Sequence, residues 1–131
     1  MSESALTTRL TERLGIEAPI VQAPIGSATT PELAAAVSQA GGLGMLALTW
    51  RGAETVRTLV RETMEQTDAP LGVNIVVDPE AKTVPTETHV ECCLDEGVEL
   101  FSFSFGDAQA VDRIHNHGGT VLQTVGSAKE A

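Results

Sequence analysis

Apolar runs recur along the chain too far apart to belong to one helix or one strand. Segments beginning near Pro19, Leu43, Leu71, Glu99 and Gly119 follow one another at intervals of 24, 28, 28 and 20 residues. Between each pair lies a stretch whose apolar positions repeat every three or four residues. A strand, a crossover helix and two short loops need roughly 25 to 30 residues, so the alternation predicts βα units and a parallel sheet. About five such units fit into residues 1–131.

The elements can be read one by one. Leu6, Leu10 and Leu14 predict a short amphipathic helix near residues 5–14, ended by Gly15. Pro19 to Ala23 reads as a strand whose exit, Pro24-Ile25-Gly26-Ser27, cannot continue regular structure and becomes a ligand-facing loop. Thr29 or Thr30 caps the next helix, with Pro31 in its first turn and Leu33, Val37 and Ala40 as its buried stripe, stopped by Gly41-Gly42. Leu43 to Leu48 is a strand apolar on both faces, with Trp50 and Arg51 in its exit loop.

The helical pattern is clearest over residues 53–66, where Val56, Leu59, Val60 and Met64 share a face. Leu71 to Val77 is β-branched and strand-like, yet Asn74 interrupts it where a core strand should be apolar. Val90, Cys93 and Leu94 mark a helix over 86–96, and Glu99 to Phe105 alternates Phe101, Phe103 and Phe105 as a fourth strand. Asp107 then reads as a helix N-cap, and Ala110, Ile114 and His117 as one helical face. Thr120 to Gln123 is the fifth strand, and Gly126-Ser127 leads towards a further helix.

Polar residues punctuate the strand ends at Gln22, Asn74, Ser104 and Gln123. Parallel α/β folds hold ligands at the carboxyl edge of the sheet, which makes these four the first candidates for a site. Asn74 carries the strongest signal, because an amide that interrupts an otherwise apolar parallel strand points to a ligand contact more than to a satisfied core amide. Gln22 reads as a support for its own loop, and Ser104 fits either pocket lining or packing.

Composition narrows the classes of partner. With 18 acidic against 8 basic residues the net charge is -10, which leaves no basic patch to follow a phosphate backbone. Nucleic acid is excluded as the expected partner. No run of about 18 apolar residues occurs and the N-terminus mixes acids with arginines, so neither a membrane span nor a secretory leader is expected. Cys92 and Cys93 are adjacent, poor geometry for a structural disulfide, and fit a reducing cytoplasm. His115 and His117 stand two apart on a helix and cannot face one metal; with the isolated His89 they read as surface residues, and no metal is expected. Gly41, Gly42 and Gly44 precede a strand and lack the GxGxxG spacing, so they read as a helix stop and close packing.

The run APIVQAPIG from Ala18 to Gly26, followed by TPELAAAVSQAGGLG from Thr30 to Gly44, resembles the opening of the nitronate monooxygenase family, once called 2-nitropropane dioxygenases. LGVNIV from Leu71 is similar to that family's third strand, SFSFG from Ser102 to its fourth, and VLQTVGS from Val121 to its fifth. The resemblance implies the N-terminal portion of an FMN-binding TIM (β/α)8 barrel, a single but incomplete domain over residues 1–131. It implies an FMN-dependent oxidoreductase that oxidises alkyl nitronates with molecular oxygen, without a metal. Carried over by position, the backbone of Ala23, Pro24 and Ile25 would lie against the flavin, and Asn74 and Gln123 would hydrogen-bond it. Relatives include an FMN-dependent enoyl reductase, which is the alternative activity; a truncated, non-catalytic α/β fragment is the alternative of another class.

Two features depart from the family pattern. Members that act on nitronates commonly carry His in the middle of the fourth-strand motif, where this chain has Ser104, the residue at the catalytic position. A serine hydroxyl is a poor base at neutral pH without an activating partner, so proton removal from a neutral nitroalkane is not expected, whereas an ionised nitronate needs none. A complete barrel takes roughly 250 residues and grips phosphate after strands seven and eight. Residues 1–131 alone are therefore expected to bind flavin weakly or not at all, unless two copies pair or a complementing C-terminal half joins them. Flavin absorbance that survives extensive dialysis of a monodisperse monomer would refute this.

Overall fold

A computed structural model describes residues 5–78, 80, 84–106 and 109–131. Helices α1 (Arg9–Leu14) and α2 (Pro31–Gln39) precede an alternation of β1 (Gly44–Ala47), α3 (Ala53–Gln66), β2 (Leu71–Val76), α4 (Thr86–Asp95), β3 (Leu100–Ser104), α5 (Val111–Asn116) and β4 (Thr120–Gln123). All pairings are parallel and the strand order is β1-β2-β3-β4. An order that never reverses sends each crossover helix to the same face. Ala34 of α2, Val56 and Val60 of α3, Val90 and Cys93 of α4 and Ile114 of α5 accordingly share one buried cluster with Leu46, Val73, Ile75, Phe101 and Phe103. This is the construction of a singly wound TIM barrel, of which the sheet forms a portion.

The first expected strand shrinks to a single bridge. Leu43 N–H donates to Ile20 O and Gln22 N–H to Leu43 O, both at 2.9 Å, and Val21 faces Leu43. Beyond that point the Gln22 side chain replaces the main chain, its Nε2 donating to Met45 O at 3.2 Å and its Oε1 accepting from Met45 N–H at 3.4 Å. The amide finishes the ladder, and the backbone is released towards Pro24. Helix α1 also starts later than its leucines suggest. Thr8 and Thr11 form a capping box, and of the three leucines only Leu14 is buried, while Leu6 and Leu10 are exposed.

Helix α2 buries a different face from the expected one. Leu33 is exposed and Val37 half-buried, while Ala34, Ala35 and Ser38 face the sheet. The cause is close approach: a Cβ on Gly44 would stand 1.9 Å from Ala34 O. Ser38 fixes the contact, its hydroxyl donating to Pro70 O at 2.7 Å while accepting from Gly44 N–H at 2.8 Å. Helices α3 and α4 are joined on their outer side, where Arg57 and Arg61 clasp Glu96 and hold its carboxyl below the usual carboxylate range.

On the opposite face the amino end of the sheet is plugged by Leu43, Met45 and Leu100 under Leu14 and Ile16 of the α1 region. Met45 lies over Gly72, leaving no room there for a larger side chain. Further along the strands, the same face turns polar. Asn74 and Ser102 stand at one level and Ser104 at the next.

Phe105 breaks the alternation of the fourth strand. Its φ of 57° places a non-glycine residue in the left-handed region and turns the ring into solvent. The N-cap expected at Asp107 lies outside the described residues. His89, expected at the surface, is fully buried on α4. Gly44→Ala tests the approach of α2: the added methyl forces helix and strand apart and should cost about 1–3 kcal/mol or more in urea unfolding, with no change of charge.

Candidate functional site

The polar patch of the sheet begins with the orientation of one amide. Asn74 is 6 % exposed, and its Nδ2 reaches Ser102 O at 3.3 Å, Ser102 Oγ at 3.0 Å and Ser104 Oγ at 3.3 Å. A carbonyl oxygen only accepts, so the nitrogen has to be the atom that faces Ser102. The Oδ1 atom is thereby left over, and among the described residues it accepts no hydrogen bond. The two serine hydroxyls accept from Nδ2 and keep their own protons to donate. Two successive levels of one face therefore offer an amide acceptor and, on the nitrogen side of that amide, two hydroxyl donors, above a lower part closed by hydrocarbon.

Strand parity explains the grouping. Phe101 and Phe103 point to the helices, which sends Ser102 and Ser104 to the other side with Asn74. Ser102 had not been singled out from the sequence, although its spacing of two from Ser104 is the signal that would have found it. Above this level Thr49 Oγ1 accepts from Val76 N–H at 2.9 Å, tying the exit of β1 to the end of β2.

The other candidates fall nearby to different degrees. Ala23 and Ile25 are exposed and Pro24 is half-buried, in a loop shaped by Thr29, whose Oγ1 accepts from Ile25 N–H at 3.0 Å. Ile25 O is taken by the N–H groups of Ala28 and Thr29. Ala23 makes no hydrogen bond among the described residues, so both its backbone groups are open to a ligand. Gln22 supports this loop, as expected. Gln123 does not join the Asn74 cluster: its register partner is Phe103, on the helix-facing side, and its Nε2 donates to Gly106 O and Thr124 O, each at 3.1 Å. It borders a cleft of about 670 Å³ at the carboxyl end, lined also by Phe105, Gly106 and Val125. A cleft of about 600 Å³ opens at the amino end beside Leu14, Pro70 and Gly118, the end that serves stability in barrels of this kind.

No group of three or more His, Cys, Asp or Glu side chains able to hold a metal occurs among the described residues. Cys93 is sealed in the core, where burial pushes its thiol up. No described helix is long and apolar enough to cross a membrane.

Residues 7–131 match the family model described as nitronate monooxygenase. The chain belongs to that family. A nitronate monooxygenase of Pseudomonas aeruginosa is 53 % identical over 70 residues, which is 53 % of this chain and 20 % of the relative. A second relative, (3aS,4S,5R,7aS)-5-hydroxy-7a-methyl-1-oxo-octahydro-1H-indene-4-carboxyl-CoA dehydrogenase of Mycobacterium tuberculosis, is 35 % identical over 127 residues, 96 % of this chain and 35 % of its own length. Among solved structures, FabK from Thermotoga maritima superimposes with a TM-score of 0.84 at 35 % identity, covering 94 % of this chain and 39 % of FabK. Nitroalkane oxidase from Streptomyces ansochromogenes gives a TM-score of 0.80 at 28 % identity, covering 94 % and 44 %. The chain thus spans about a third of the M. tuberculosis relative and a fifth of the P. aeruginosa one. Family membership implies a flavin as the redox group.

The orientation of Asn74 can be tested by charge. Asn74→Ala removes the donor and should cost about 1 kcal/mol, whereas Asn74→Asp sets a carboxylate against Ser102 O and should cost about 1–3 kcal/mol at neutral pH. Protonation restores a donor to the Asp, so its deficit should narrow as pH falls. Equal losses for the two variants in urea unfolding at pH 7 would show that the amide faces the other way.

Proposed function

We propose that residues 1–131 are a single β/α portion of an FMN-dependent oxidoreductase that oxidises alkyl nitronates with molecular oxygen. The observation that carries this reading is the amide of Asn74, whose Nδ2 is held by Ser102 and Ser104 so that its oxygen is left over as an acceptor. A flavin edge presents a ring N–H beside carbonyl oxygens, and an amide acceptor with the Ser102 hydroxyl as a neighbouring donor suits it without any charged residue. The open backbone of Ala23 adds a further donor and acceptor, with Pro24 and Ile25 beside the ring. Gln123, on the helix-facing side at the exit of β4, would reach the cofactor only from the neighbouring cleft at the rim and not beside Asn74. FMN, when bound, would supply a two-electron acceptor that oxygen can reoxidise.

Ser104 sets the limit on the substrate. Its hydroxyl has no base within the described bonds, only the amide of Asn74, so it orients and does not deprotonate. The substrate therefore arrives already ionised, and Ser104 donates a hydrogen bond to its nitro oxygens. A second reading is favoured by the same serine and by the M. tuberculosis relative, whose similarity runs through 96 % of the chain. Under that reading the site handles an acyl thioester as an enoyl reductase-like enzyme, with a nicotinamide as electron donor.

The remainder of the barrel comes from further chain, from a second copy or from a complementing C-terminal half. The adjacent thiols Cys92 and Cys93, both buried and unbridged, fit a cytoplasmic protein.

Oxygen uptake by the complete enzyme separates the readings. With propyl-2-nitronate it should proceed, with neutral 2-nitropropane it should be slow, and Ser104→His should raise the rate on the neutral form. Oxidation of NADH or NADPH by an enoyl thioester, without uptake on nitronate, would overturn the first reading in favour of the second.

A further inference from the structure

Trp50 is the chain's one tryptophan and it stands 59 % exposed in the loop after β1. Its ring lies on Gly26, where a Cβ would come within 2.8 Å of Cζ3 and 3.2 Å of Cε3. Gly26 belongs to the loop that presents Ala23, Pro24 and Ile25, so the indole flanks the backbone read above as the flavin-facing segment. Ile25, 54 % exposed, extends the same apolar surface.

Two hydrogen bonds hold the backbone of the loop behind the indole. The turn that carries it is closed by Arg51 N–H donating to Leu48 O at 2.9 Å. From behind, His89 reaches the same turn: its Nε2 stands 2.8 Å from Arg51 O, and the ring is fully buried on α4. The carbonyl can only accept, so Nε2 carries the hydrogen and donates it. A buried imidazole on one βα unit is thus fastened to the rim loop of the preceding unit, one residue from the indole.

We propose that His89 is a positioning residue for the Trp50 loop, and that Trp50, so held, forms the apolar wall of the substrate pocket beside the Ala23–Gly26 loop. The wall selects for the hydrocarbon part of the substrate, an alkyl or acyl portion, by offering it an aromatic face. The assignment of a pocket wall rests on the function proposed above. The fastening of the loop by His89 does not.

The chain contains no tyrosine, so its fluorescence at indole wavelengths reports Trp50 alone. His89→Leu should shift the emission to the red and raise acrylamide quenching by up to about twofold, since the ring is already 59 % exposed. His89→Gln, whose amide nitrogen can donate to the same carbonyl, should stay near the parent protein. Gly26→Ala should displace the ring with His89 untouched, and so disturb the emission as well. A folded His89→Leu chain, by far-ultraviolet circular dichroism, with unchanged quenching would overturn the fastening.

If that variant does not fold, nitrogen-15 histidine spectra of the parent chain decide. A slowly exchanging proton on Nε2 supports the fastening, and a neutral ring protonated on Nδ1 overturns it. In the complete enzyme Trp50→Ala should raise KM several-fold with flavin content and kcat retained; an unchanged KM removes the wall. These fluorescence and resonance readouts need no flavin, so loss of the flavin reading would leave their outcome standing.

Discussion

The carbonyl oxygen of Ser102 decides the chemistry of the polar patch, because it tells a neighbouring amide which end to present. A buried asparagine in a parallel strand costs stability unless its donors are met, and in this sheet they are met across the strand pair. That leaves the oxygen of Asn74 facing the space that a barrel encloses. If the partner were a donor, the amide would turn over and the patch would present a proton instead. Register therefore matters as much as residue type: a slip of one position between β2 and β3 would set Asn74 against a phenylalanine and remove the whole arrangement.

Packing elsewhere makes that register hold. The crossover helices α2 to α5 occupy one face only, and α2 reaches its strand through a contact that tolerates no side chain at Gly44. Ser38 ties the same contact to the residue that precedes β2. On the other face the hydrocarbon plug at the amino end gives way to hydroxyl and amide groups at the carboxyl end. Stability and chemistry are thereby divided along the strands, which lets the rim vary without loosening the base.

How much of this was legible in the sequence differs from element to element. The parallel βα alternation could be read, since a 28-residue spacing suits a strand with its crossover helix, whereas Asn74, which drew notice in LGVNIV as a ligand contact, also meets partners of its own across the strand pair, in Ser102 and Ser104. The face of α2 could not, because the leucine and valine expected to lie inside yield to alanines once the helix must approach a glycine closely. The first strand looked longer than it is; no pattern of apolar residues shows that the Gln22 side chain will stand in for the main chain. Alternation in ELFSFSF carried Phe101 and Phe103 inward correctly but could not show the left-handed turn at Phe105. His89 looked like a surface residue among charges, and no pattern of apolar residues shows that the preceding rim loop will bring a carbonyl oxygen to a buried imidazole.

The two thiols, next to one another on α4 and both buried, have a use of their own. Thiolate is the reactive form, and burial holds the Cys93 proton on. A thiol-directed reagent can therefore attack only in the moments when α4 lifts from the strands, so its uptake serves as a clock for that opening. His89 rides on the same helix, and each tick would also count a release of the rim it fastens.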